Sequence, residues 1–385
     1  MLPDLPATGL PASRPLAAVK GWAAVELEPV YARARELCAQ IHDPALAFRA
    51  LHGQWVTRIW KVELHDALEL ADELLTAAEE VKDPAMLLLG NYARGTVLLY
   101  LGELVSANEH LEKALAVFDL RQPLPGILEL SRVTSLSFLY FGLWGLGYPD
   151  RAWAKSREML EVAQRSSDPF ILANAFCMAA QHNLLGGDAS AAQKRAEETM
   201  ALAEQIGVVS LSALTTTWHG AALIAQGRYE EGIAGMRRGI SAIRANGATP
   251  FATLLGLLAS GLGKTGRPQE GLQVLEEGFA SVAQTGEESL GPSLHDIKGE
   301  LLLAQNPSDL AAAERCFRRA IEIARRQNTR LVELQASTSL ARLLNEQGRR
   351  DEARAMLADI YNWYTEGFDT ADLRDAKALL DELGA

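Results

Sequence analysis

The chain has 385 residues, 48% of them apolar and only 6% aromatic, and a formal net charge of −12. The acidic balance argues against nucleic acid, because phosphate binding needs clustered Lys and Arg. Abundant Ala and Leu favour helix over sheet. The three cysteines, Cys38, Cys177 and Cys316, form no C-x-x-C pair, so neither a zinc site nor a disulfide framework is expected and a reducing, cytoplasmic setting fits.

In chain order, residues 1–20 hold four prolines and no continuous apolar run, which predicts a disordered lead-in rather than a signal peptide. "ELEPVYARARELCAQI" (26–41) predicts a solitary helix. From about residue 43 to 366 one pattern recurs about every 40 residues: a Gly, a few polar residues, then a small residue five places after the Gly. The Gly positions are Gly102, Gly147, Gly187, Gly227, Gly266 and Gly348, and the small residues are Ala107, Ala152, Ala192, Gly232, Gly271 and Ala353. Two further units have altered turns ahead of Ala67 and Ala313.

Each unit reads as two helices, A and B. Within 209–246 the first helix stops at Gly227, a left-handed stop signal. The second opens on acidic residues and repeats Ile233, Met236, Ile240 and Ile243 on one face. Seven residues before the turn Gly sit Gly95, Ala180, Gly220, Ala259 and Ala341, small enough for the two helices to approach; Tyr140 and Trp55 are the exceptions. Asp43-Pro44, Asp83-Pro84 and Asp168-Pro169 open helix A, with Asp as N-cap and Pro in the first turn. A pair cannot bury its apolar face alone, so stacked neighbours must share one core. The longest apolar stretch, residues 133–148, is too short to span a bilayer, so no membrane contact is expected.

The small–Gly–small pattern resembles the tetratricopeptide repeat, "GRYEEGIAGMRRGI" and "AERCFRRAIEIA" most closely. The period is longer than the consensus of about 34, which implies longer helices. HEAT repeats have a similar period but lack this placement of Gly and small residues. The expected fold is all-α: a right-handed α-solenoid of about eight such pairs over 21–366, helix A lining the concave side, closed by a capping helix at 367–385.

A narrower resemblance rests on "KGWAAVELEPVYARARELC", "LWGLGYPDRA", "IKGELLLAQ", "AERCFRRAIEIARRQ" and "YNWYTEGFDTADLRDAKALLDEL". These are similar to the C-terminal repeat region of bacterial STAND-type signalling ATPases, which often carry a class III adenylate or guanylate cyclase or a DNA-binding helix-turn-helix at one end. The repeat domain of the maltose regulator is a more distant relative. The resemblance implies a sensor or regulatory module in bacterial signal transduction or transcription regulation, with an ATPase or cyclase domain as partner in cis or in trans. The 385 residues contain neither enzyme domain, so no catalytic, cofactor-binding or metal-ligating residue is carried over.

Other candidates are weak. Gly263-Lys264-Thr265 ends like a P-loop, but Leu258 stands where the first Gly is required, so a helix C-terminus is expected. The seven histidines (His42, His52, His65, His110, His182, His219, His295) form no metal-binding pair, and His219, beside Trp218, is assigned to packing and groove lining. Asp296 and Glu300 share a helix face with no third ligand, which suggests a solvated or groove-facing polar strip. The runs "RRAIEIARRQ" and "EQGRRDEAR" read as solvated outer faces.

No nucleophile, base and oxyanion donors come together, so a non-catalytic module is expected. It would dock a protein segment or small effector in its groove; a scaffold for self-association is the alternative. Offsets from the turn Gly place Arg49, His52 and Trp60, then Tyr92, Thr96 and Tyr100, then Ser137, Phe141 and Trp144, then Asn174, Cys177 and Gln181, then Thr217 in the concavity. At the C-terminus, Gly367 is expected to end the last helix B, and Asp369 to cap one more helix with a Phe368–Leu373 staple. Leu373, Ala376, Leu380 and Leu383 would form its apolar stripe over Trp363 and Tyr364, with Asp372 in water.

Overall fold

The computed structural model describes residues 23, 26–41, 43–119, 121–289 and 291–384; the lead-in expected at 1–20 and His42 lie outside them. Among the described residues there are 18 helices and no strand. A solitary α1 (Leu27–Ile41) precedes eight pairs. They are α2 (Pro44–Lys61) with α3 (Leu64–Val81), α4 (Pro84–Tyr100) with α5 (Leu104–Ala116), α6 (Gly126–Gly145) with α7 (Pro149–Arg165), and α8 (Pro169–Leu185) with α9 (Ala189–Ile206). Then follow α10 (Val209–Ala225) with α11 (Tyr229–Ala245), α12 (Ala252–Lys264) with α13 (Pro268–Thr285), α14 (Gly291–Gln305) with α15 (Leu310–Gln327), and α16 (Arg330–Glu346) with α17 (Arg350–Tyr361). A last helix, α18 (Ala371–Gly384), packs on α16 and α17.

Local chemistry accounts for the pairs. The N-cap carboxylates Asp43, Asp83 and Asp168 each accept backbone N–H bonds from the first turn, at 3.0, 2.9 and 3.0 Å. The six turn glycines all take positive φ, from +72° to +89°. At the altered first turn, Val62 occupies the equivalent place with φ +56°, a conformation that disfavours a β-branched residue. The small-residue rule marks the contact between helices A and B: a Cβ on Gly220 would lie 2.7 Å from the Gly232 carbonyl oxygen. Where Tyr140 breaks the rule, Ala152 opposite it is fully buried. The α11 stripe Ile233, Met236, Ile240 and Ile243 is buried, each side chain stabilising by about 1.5–3 kcal/mol.

The A helices of every neighbouring pair pack on one another, while the B helices make no comparable contact among themselves. The wall of A helices is therefore the tight, inner surface of the solenoid, and the B helices splay outside it.

The C-terminus differs from expectation in three ways. Helix α17 ends at Tyr361, not at Gly367. Helix α18 starts at Ala371, one residue too late for the staple, and Phe368 is 49% exposed. Leu379 joins Leu373, Ala376 and Leu383 in the core, and Asp372 is half-buried, accepting from Gln335 Nε2 at 3.1 Å. Tyr364 and Trp363 both pack with the cluster under the helix, as expected, and Trp363 also reaches beyond it.

It reaches the third repeat. The Trp363 ring lies 5.7 Å from that of Tyr148, and a Cβ on Gly147 would sit 2.6 Å from it. Glu366 accepts the backbone N–H groups of Asp150 and Arg151, at 3.0 and 3.2 Å, and so caps α7 from 216 residues away. The same register recurs along the chain. Thr249 donates to the Trp60 carbonyl at 3.3 Å, and Ser289 to the Tyr100 carbonyl at 3.2 Å. The A-to-B turns of pairs one to four thus meet the B-to-A loops that follow pairs five to eight. Successive superhelical turns touch along this seam.

Candidate binding groove

The front of the inner wall is aromatic. On α2, α4 and α6, Trp55, Tyr92 and Phe138 contact in series, with centroids 5.4 and 6.4 Å apart. Tyr100 meets Phe138 edge-on at 6.0 Å and stacks on Phe251 at 5.0 Å across the seam. Enclosure pushes the Tyr92 phenol up to about 12 through desolvation, and Tyr100 higher still.

Of the thirteen residues assigned to the concavity, seven are half-buried: Arg49, Trp60, Tyr92, Tyr100, Phe141, Asn174 and Gln181. The other six are buried, a correction to the offset rule. His52 lies beside the Trp55 ring, tilted to it at 5.5 Å, and is held neutral by desolvation, its pKa lowered to about 4. Thr96 bonds back to the Tyr92 carbonyl at 2.8 Å, and Thr217 to that of Leu214 at 2.6 Å. Ser137 is tied to His182, Trp144 packs on Tyr140 and Trp153, and Cys177 sits in the α8–α12 core. The cause is helix length: each extra turn of helix A is covered by the next A helix.

The rear of the wall is acidic. Asp296 and Glu300 on α14 feel groups from the flanking A helices: Ser339 and Arg342 on α16, and Lys264 at the end of α12. Neither carboxylate has an ion-pair partner among the described residues, and Asp296 Oδ1 is buried with no hydrogen bond. Desolvation, then the Glu300 charge, raises the Asp296 carboxyl to about 7; desolvation raises Glu300 and Asp372 as well. The strip thus lies between neighbouring A helices, with Asp296 half-buried and Glu300 exposed. The front and rear meet, because α16 contacts α6 across the seam and Leu331, like Phe141, packs against the Tyr140–Trp144–Ala152 cluster.

Other candidates resolve differently. His182 has Ser156 on Nδ1 at 2.8 Å and Ser137 on Nε2 at 3.0 Å, but all three are buried and desolvation lowers the imidazole pKa to about 3. This is a core network, with no access for a substrate. His219 turns away from the groove towards Glu197 on α9, at 3.4 Å, and Trp218 is buried. Gly263-Lys264-Thr265 is the end of α12. The basic runs form ion pairs on the outer helices, such as Arg349 with Glu314 and Glu352. Among the described residues no group of three His, Cys, Asp or Glu could hold a metal ion, and no helix is long and apolar enough to cross a membrane.

The fold is that of tetratricopeptide-like solenoids. A Rap protein complexed with competence and sporulation factor superposes with a TM-score of 0.62 at 13% identity, covering 97% of this chain and 99% of that one. Human IFIT1, as a dimer with m7Gppp-AAAA, gives a TM-score of 0.54 at 14% identity, covering 92% and 76%. The tetratricopeptide-sensor STAND protein PH0952 from Pyrococcus horikoshii gives 0.45 at 15% identity, covering 93% of this chain and 54% of that one, a likeness too weak to argue from. No protein-family model matches the chain, and no curated protein does.

Proposed function

We propose that the chain is a non-catalytic binding module that takes a polypeptide segment into the groove between its A helices. One observation carries the reading: half-buried aromatic side chains, Tyr92, Tyr100 and Phe141, stand on adjacent A helices of a continuous inner wall. Rigid aromatic surface of this kind supplies contact area at little entropic cost. A binding partner that favours one seam geometry would shift the solenoid between closed and open forms. By its sequence resemblance, the module reports that shift to a bacterial cytoplasmic signalling ATPase or cyclase. Nucleic acid is disfavoured by the acidic rear of the wall, although one structural neighbour was solved with capped RNA.

The test is an array of acetylated, amidated hexapeptides of random sequence, probed with the full chain, beside light scattering at tens of micromolar. A monomer that retains a subset of peptides is expected. A silent array, or a stable dimer that shields the groove, sinks the reading and leaves the scaffold.

A further inference from the structure

We infer that the segment bound in the groove carries a lysine or arginine seated against Asp296 and Glu300, with an aromatic or aliphatic side chain against the Tyr92–Tyr100–Phe141 wall. This rests on the reading of the groove as a polypeptide site and names the chemistry of its occupant.

Three observations converge. First, the wall changes character along its length, from aromatic on α4 and α6 to acidic on α14, and α16 joins the two across the seam. A short segment can therefore touch both. Second, no ion pair among the described residues closes the acidic end. The Lys264 and Arg342 charges act on Glu300 only from beyond ion-pair distance, Arg342 is engaged by Asp375, and Asp372 accepts from an amide. Third, Asp296 Oδ1 is buried with no hydrogen-bond partner, an acceptor left open beside the groove.

Physical chemistry then selects the ligand. A half-buried Asp296 and an exposed Glu300, one helical turn apart, both have raised carboxyl pKa values, and the Glu300 charge adds to the resistance of Asp296 to ionising. A guanidinium or ammonium brought between them removes the repulsion and supplies the missing donors. An anionic ligand meets the opposite field. The outward neighbours on α14 are already satisfied: Lys298 pairs with Glu276 at 2.7 Å and lies over the Phe279 ring. The open acidic face is thus confined to the inner side.

The hexapeptide array tests this directly, because its blocked termini leave side chains as the only charges. Retained peptides should be enriched in Lys or Arg together with an aromatic or large aliphatic residue. For the best of them, Asp296→Asn with Glu300→Gln should weaken binding at least about tenfold. Glu276→Gln, on the outer side of α14, should leave it unchanged. Neutralising repelling carboxyls keeps the fold, which circular dichroism verifies. Peptides retained without basic preference, or with affinity untouched by the double variant, would overturn the inference while leaving the binding module standing. A silent array overturns both. Tighter binding of single-stranded oligoadenylate than of any peptide would overturn it in favour of a phosphate ligand.

Discussion

The A-to-B turns of the front and rear repeats share one backbone but meet different surroundings. In front, Gly147 lies against Trp363, and Gly102 and Gly187 lie under Gln327 and Ala371. In the rear, Gly227, Gly266 and Gly348 have nothing within 4 Å of a Cβ. The residue after each Gly follows the difference. It is Glu103, Tyr148 and Asp188 at the covered turns, but Arg228, Arg267 and Arg349 at the open ones. Each of these arginines pairs with a glutamate three residues on, Glu231, Glu270 or Glu352. A self-satisfied charge pair needs no partner and discourages one, so the open edge is built to stay in water and the covered edge to be covered. Repeats that look interchangeable are thus differentiated by superhelical position.

The sharpest way to break this contrast is a matched pair of substitutions. Gly147→Ala should cost about 3–4 kcal/mol, from left-handed strain and the clash with Trp363, whereas Gly227→Ala should cost about 1 kcal/mol, from strain alone. Equal losses in denaturant titrations would show that the seam is not closed in solution.

Next comes pH. Glu287 is 1% exposed beside the seam; Oε2 accepts the Ala252 N–H at 2.9 Å while Oε1 is buried without a partner. Desolvation raises its carboxyl from 4.5 to about 7. A raised folded-state pKa means that the stability is fully present below about pH 4.5 and is lost as pH rises through about 7. Wild type should therefore lose about 2–3 kcal/mol more than Glu287→Gln between pH 5 and pH 8. Parallel stability curves for the two proteins would remove Glu287 from the account.

Glu366→Ala strips the distant cap from α7 and should cost about 1–2 kcal/mol, with faster amide exchange at Asp150 and Arg151. Unchanged exchange there would mean that the cap is not formed. At the open edge, Arg228→Ala should leave the melting temperature where it is, and a clear drop would contradict the view of that turn as self-contained.

The repeats were legible because their signals are local. Turn glycines report positive φ, small residues report helix approach, and Asp-Pro reports the helix start. The groove was legible in part. Counting back from the turn Gly located the right helices, but an offset carried from shorter repeats assigned Ser137, Cys177 and Thr217 to the groove when they lie in the core. The seam was not legible, because Glu366 and Asp150 have no local pattern linking them. The arginine that follows only the open turns is a signal that a reader could have used.

The link between Glu366 and α7 also bears on how the chain is made. Most repeat arrays fold through near neighbours and can build up as they leave the ribosome. Here the groups that cover the third repeat's turn are synthesised 216 residues later. Until then the aromatic edge around Tyr148 stays bare, and final ordering waits on contacts with a long loop-closure cost. Assembly should accordingly run in two stages, local pairs first and closure last, with the interval between them the chain's most aggregation-prone moment.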